Sequence, residues 1–474
     1  ASDLFIQHAN FSGTNRLVDI SAVIADNGTG AVRVIKSSGD TGASSMTLSG
    51  VNTYTGGTVL NMGTLVLGAT ARLGTGGIVV NRATLTQTAG GIIPAQALTL
   101  NASSTVTLAG NNSLTGLTFG NAGGTAPTLT PTGVLTLTGG ITSTTSNPGT
   151  IATIGTGTLD LNGAAAYSIN VGASLVNGID VAPWQAGLII NSTIQNGGIT
   201  KTGNGLLQLA GQSTFAGGVT VSAGGLVIGA NSTASGLLET PTSGPVGVGT
   251  LTMANNTSLV AAAAYTISNN VVFGDDGAGT GTNVFNGTNS LTLNGITTLP
   301  SIWNVAITAP QMTVTIGDAS PSLVTDVINK SGLGILIVGN YAGTISAAGG
   351  LVFTGDGNAL GTPASVSLGG NVVLTNDTAV TVNRSGSAPN ARNKILQKTD
   401  LTNPGSILSI SNLSGFGLEF TGDITLNGAS HFAVSNSTAS NVVPGLTLSG
   451  LVADAGGYDL TKSGAGTLLL TNAG

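Results

Sequence analysis

MTLSGVNTYTGGTVLNMGTLVLGAT, residues 46–70, returns in altered form as LQLAGQSTFAGGVTVSAGGLVIGAN at residues 207–231, 161 positions further on. Leu48, Gly50, Tyr54, Gly56, Gly57, Gly63, Leu65, Val66 and Gly68 fall on Leu209, Gly211, Phe215, Gly217, Gly218, Gly224, Leu226, Val227 and Gly229. In both copies apolar residues alternate with Thr, Ser or Asn, and glycines cut the alternation every few positions. A period of two puts the apolar side chains on one face of a strand, and regularly spaced glycines turn the chain. Such a repeat predicts short strands stacked coil upon coil.

A smaller unit recurs outside these copies. Leu98-Thr99-Leu100, Leu135-Thr136-Leu137, Leu159-Asp160-Leu161, Leu291-Thr292-Leu293 and Leu446-Thr447-Leu448 each place two leucines inward and one polar residue outward. Eight Asn-Gly steps, among them Asn27-Gly28, Asn162-Gly163, Asn294-Gly295 and Asn427-Gly428, punctuate the chain as turns. Coils of about 20–25 residues, a common repeat length, would make about 20 coils and a rod on the order of 100 Å at the strand spacing of a sheet.

Composition agrees. Of 474 residues 75 are Gly, two are Glu and 6% are charged, so helix formers are scarce and strand and turn formers abound. Mean hydropathy is +0.38, yet the apolar residues are dispersed, and the patch at Val260 to Tyr265 is far short of the ~18 residues of a spanning helix. Hydrophobic residues at 41% argue against disorder. No cysteine is present, which excludes disulfides and thiolate metal sites. A net charge of −6 argues against nucleic-acid binding.

A second phrase precedes the first. Lys201-Thr202-Gly203-Asn204-Gly205 leads into LLQLAG, Lys330-Ser331-Gly332-Leu333-Gly334 into ILIVG, and Lys462-Ser463-Gly464-Ala465-Gly466 into TLLLT, with Lys36-Ser37-Ser38-Gly39 a looser copy. Four of the six lysines thus hold one motif position. These phrases resemble the passenger-associated repeat of autotransporter proteins, which runs from Lys-Ser/Thr-Gly-x-Gly through Leu-x-Leu and Asn-Thr-Tyr-Thr-Gly-Gly to Gly-Thr-Leu-x-Leu-Gly. Residues 36–68 and 201–229 match it well, 330–352 in part, and 462–474 in its first half. The resemblance implies an all-β, right-handed parallel β-helix (a β-solenoid), exported to a bacterial cell surface. The C-terminal barrel domain of a whole autotransporter has no counterpart in these residues.

On this basis residues 1–474 are expected to form one continuous solenoid, with loop excursions near 239–249, 274–289 and 384–400. No catalytic, cofactor-binding or metal-binding residue is assigned. Polysaccharide-cleaving β-helices need acids beside a His-Gly and an Arg-x-Lys clamp. Here Asp275-Asp276 is the one adjacent acidic pair, His8 and His431 are isolated, and Arg392-Asn393-Lys394 has no acid motif around it. Calcium at Asp275, Asp276 or Asp356 lacks the nonapeptide spacing of calcium solenoids. A Ser-His-Asp triad around His431 lacks a Gly-x-Ser-x-Gly elbow. Tyr54, Phe215 and Tyr341 share one position, read as a coil corner rather than a sugar platform. The basic run Arg384 to Lys398 is the best candidate for a contact surface.

The chain stops at Thr471-Asn472-Ala473-Gly474, where a corner should follow, and His8 to Thr14 loosely resembles that corner. Copies are therefore expected to self-associate end to end through terminal coils, or the chain to be part of a longer solenoid. The expected role is that of a non-catalytic extracellular building block of a bacterial surface fibre or layer. The alternative is an autotransporter-type adhesin passenger, and a polysaccharide-degrading enzyme is remoter. Surface glycan or a host surface is the expected external partner. No nucleic acid and no membrane span is expected.

Overall fold

The computed structural model describes residues 2–8, 17–38, 44–234, 236–274, 278–319, 325–338 and 341, then 344–347, 350–354, 367–368, 372–374, 378–383, 392–395, 399–401, 407–412, 417–420, 423–426, 428–436, 444–454 and 456–472. Every regular element among them is a β-strand, and no helix is long and apolar enough to cross a membrane. The chain divides into two compact units, Ala1–Thr233 with Thr242–Thr250, and Ala234–Pro241 with Leu251–Gly474.

In the first unit successive coils each give one strand to each of two faces. Thr58–Asn61, Ile78–Asn81 and Gln96–Asn101 follow one another on the first face, and Thr64–Leu67, Thr84–Gln87 and Thr105–Leu108 on the second. All these neighbours pair in parallel. Thr58 lies opposite Ile78 and Ile78 opposite Leu98, so two consecutive coils take twenty residues each. Parallel pairing in register from coil to coil is what stacks like on like, and it yields the all-β parallel solenoid that the alternation predicts.

The core follows from that register. Met46, Leu65, Leu85, Val106, Leu129, Ile154, Ile190, Leu209 and Ile228 stand in line across nine coils. None is more than 1% exposed. Burying one such side chain is worth about 1.5–3 kcal/mol, and each link is touched by the coil above and the coil below. Outside the core, polar side chains form their own ladders. Asn101 donates to Asn81, and Asn81 to Asn61, at 2.8 Å each.

Among the described residues of the second unit, parallel ladders again stack the strands. One runs from Ser258–Ala261 through Thr282–Asn286, Ile302–Ile307 and Val327–Ser331. Another runs from Tyr265–Ile267 through Leu291–Thr298, Thr313–Asp318 and Ile335–Val338. A third links Ser367–Leu368, Arg392–Ile395, Gly417–Phe420, Leu446–Leu448 and Leu468–Leu470. An aromatic cluster fills part of this core: the Trp303 ring lies 4.8 Å from that of Phe273, and its indole N–H donates to Asn283 Oδ1 at 3.0 Å.

Candidate functional site

The lysine phrase is the most particular feature of the repeat, and in three of its four copies the side chain is buried, Lys462 alone being exposed. Lys36 and Lys201 are 0% exposed and Lys330 is 3% exposed. Lys201 Nζ donates to the carbonyls of Gly203 (2.6 Å), Gly205, and Ala223 of the next coil (2.9 Å). Lys330 Nζ donates to Gly332 O at 2.8 Å and Lys462 Nζ to Gly464 O at 2.8 Å. In all three the acceptor is the glycine two residues on, at φ of 78°, 78° and 80°. That left-handed conformation swings the carbonyl back toward the ammonium, and glycine adopts it without Cβ strain.

The same glycine is also needed for space. A Cβ on Gly203, Gly332 or Gly464 would stand 2.4, 2.3 or 2.2 Å from the carbonyl oxygen of Val171, Ile307 or Val434 in the coil before. The looser copy, with Ser38 in place of this glycine, is held differently: Lys36 Nζ reaches Met62 O at 2.9 Å. Burial pulls both Lys201 and Lys330 down to about 8, while the ring of carbonyls favours the charged form. The buried lysines thus serve as internal clamps on their turns.

The aromatic corner is also closed. Tyr54 and Phe215 are 0% and 1% exposed, which leaves no ring face for a sugar. The Tyr54 hydroxyl bonds Thr58 Oγ1 at 2.7 Å, and burial raises its pKa. Each ring is covered by a glycine of the following coil: Gly74 over Tyr54 and Gly247 over Phe215. In each case the residue after that glycine donates its N–H back to the aromatic residue's carbonyl at 2.9 Å, Thr75 to Tyr54 and Val248 to Phe215. Tyr341 is likewise buried.

Asp275, Asp276 and Asp356 lie outside the described residues. His8 ends the strand Ser2–His8 of the first unit. His431 belongs to the second unit, where its Nε2 lies 2.6 Å from Ser463 Oγ on the adjoining coil. Among the described residues no carboxylate meets its other ring nitrogen, and no three His, Cys, Asp or Glu side chains gather around a common point. Arg392, Asn393 and Lys394 sit on a strand paired with Gly417–Phe420, Lys394 standing opposite Glu419. Residues 384–391 and 396–398, Arg384 and Lys398 among them, lie outside the described residues. Within the other two expected excursions, 239–249 carries no strand and 274–289 contains the strand Thr282–Asn286.

One surface feature has no counterpart in the expected excursions. Ala152 pairs with Leu188, 36 residues on, because the intervening coil throws out a hairpin in which Leu175 and Val176 pair antiparallel with Asp180 and Ile179. Asn177 and Gly178 form its turn, at φ of 51° and 79°, as a type I′ hairpin requires. Val176, Ile179, Val181 and Trp184 project from it, 39%, 67%, 45% and 51% exposed. The Asn-Gly step between Leu175-Val176 and Ile179 was the available signal. It reads as one more corner because other Asn-Gly steps of this chain do mark corners.

The passenger-associated-transport-repeat family model matches residues 40–67 and 199–228. No curated protein and no solved structure matches the chain. The two matched segments contain the Tyr54 and Phe215 corners, and the second also contains the Lys201 clamp.

Proposed function

We propose, from a chain that carries the passenger-associated transport repeat in two places, that it is a non-catalytic structural component of a bacterial cell surface. The observation that carries the reading is the fate of the repeat's own residues. Its buried lysines, aromatic corners and glycines are spent on holding turns and coils together, which gives the motif an architectural task. A surface of hydroxyls and amides over a continuous apolar ladder suits a scaffold that must hold its form outside the cell with no disulfide to help it.

Display is tested by protease shaving and antibody labelling of intact cells that express the protein with its native flanking sequence. Labelling of intact cells is expected, and signal only after lysis would overturn it. The structural role takes one of two finer forms: a block that stacks end to end into a fibre or layer, or the stalk of an adhesin passenger. Sedimentation velocity separates them, since species that grow with concentration support the first and a constant monomer the second. Release of reducing sugars from surface polysaccharides, abolished by Asp275→Asn with Asp276→Asn, would refute the non-catalytic reading.

A further inference from the structure

We propose that a polar groove beside Arg82 binds an acidic sugar, a glycan unit bearing a carboxylate or a sulfate. The groove measures about 320 Å³ and its walls include Arg82 and the hydroxyl residues Thr64, Thr84, Ser103 and Thr125. That volume is at the lower end of small-ligand sites. Thr64 and Thr84 are paired on neighbouring coils, so their hydroxyls form a row along the axis, spaced as successive strands of a sheet. Ser103 Oγ accepts from Thr125 N at 3.0 Å, which leaves its own proton free to donate. A row of hydroxyls flanking a guanidinium fork is a donor set for a polyol with an anionic substituent, and Arg meets a carboxylate or a similar oxyanion with two parallel bonds.

Charge makes the case stronger. The chain is net negative, yet residues 41–159 contain two charged side chains, Arg72 and Arg82, and no Asp or Glu. Arg82 is exposed and forms no ion pair among the described residues; Asp40, the acid before this stretch, lies outside them. Below the groove lies a second cation. Lys36 Nζ bonds Met62 O, and a Cβ on Gly63 would stand 2.3 Å from that ammonium. Both Met62 and Gly63 line the groove. Lys36 is spent on the backbone beneath the groove, so Arg82 is the cation its lining offers to an anion.

The backbone adds an independent pointer. Met62, Arg82 and Ser103 all line the groove, and all hold positive φ, at 66°, 51° and 37°. Non-glycine residues in this region are strained, and such strain gathers at ligand sites. Arg82 is the costly choice at a corner where Gly or Asn would sit without strain, and what it adds there is an exposed cationic side chain lining the groove.

The proposal takes from the surface reading only where such a glycan is met. Binding by the purified chain is measured without cells, so failure of display and failure of binding are separate results. The experiment is calorimetric titration of the full chain with two probes, a heparin-derived octasaccharide and an octasaccharide of galacturonate, at low and high salt. Binding of at least one probe, weakened by salt and at least about tenfold weaker in Arg82→Gln, is expected. Preference for the first probe points to a sulfated glycan, and preference for the second to a uronate polysaccharide. Arg82→Gly relaxes the strained corner and keeps the fold, and it must lose binding equally. No binding of either probe, or wild-type affinity in Arg82→Gln or Arg82→Gly, would overturn the proposal.

Discussion

Replacing Lys201 with methionine tests the clamp directly. Methionine keeps most of the volume of a side chain that is 0% exposed, so packing changes little and the ammonium alone is removed. Three carbonyls lose a donor. Gly205 O keeps a bond from Gly225 N at 3.3 Å, so two carbonyls, those of Gly203 and Ala223, are left without the donor they had. An orphaned buried acceptor costs about 1–3 kcal/mol. Against this stands the cost of burying the charge. A pKa held at about 8 instead of the usual ~10.4 corresponds to about 3 kcal/mol. Two orphans cost about 2–6 kcal/mol and the relieved charge burial returns about 3, so the net expectation runs from near zero to a loss of about 3 kcal/mol, felt first in the two clamped coils. Hydrogen exchange of Leu207–Leu209 and Leu226–Ile228, with chemical denaturation, reads it.

The pH dependence supplies a second check on the same residue. Between about 8 and ~10.4 the unfolded chain holds a proton on Lys201 that the folded chain has released, so the wild type gains stability as pH rises through this window. Methionine does not titrate, so the gap between wild type and variant should widen from pH 8 to pH 10. A variant as stable as wild type at pH 7, with a gap that does not change with pH, would refute the clamp.

Three further outcomes are expected. Gly74→Ala puts a Cβ 2.3 Å from Tyr54 O and 2.5 Å from its ring, and should cost about 1–3 kcal/mol in denaturant unfolding, as overpacking does. Asn81→Ala removes both its bond to Asn61 and its acceptance from Asn101; a loss of about 1–2 kcal/mol is expected, with faster exchange in all three coils. Asp26 accepts from Val32 N at 2.8 Å, and from Thr55 N and Oγ1 at 2.9 and 2.8 Å. The Val32 bond, and after it the Thr55 bonds, lower its pKa below the usual 3.8. Its contribution is therefore present above that pH and lost as pH falls through the lowered value, so melting curves of Asp26→Asn and wild type should differ at pH 6 and converge in strong acid.

The sequence by itself determined the strand, its two faces and the repeat. Leu-x-Leu alternation with scarce charge and frequent glycine points to short stacked strands, and the copies at 46–70 and 207–231 mark the chain as a repeat, while the twenty-residue coil comes from the strand register. Four lysines at one motif position were equally legible as a pattern, but their direction was not. Only the register of coils, set by contacts between residues about twenty apart in sequence, turned Lys201 inward onto Ala223 of the next coil. The same register set Gly74 over the Tyr54 ring. Tertiary structure likewise decided which Asn-Gly step was a corner and which a hairpin. Asn177-Gly178 left the ladder because the strand after it pairs back on Leu175 and Val176 instead of on the neighbouring coil. Local pattern records what a segment prefers to be, and partners far along the chain decide which side chains are spent on the scaffold and which remain free at its surface.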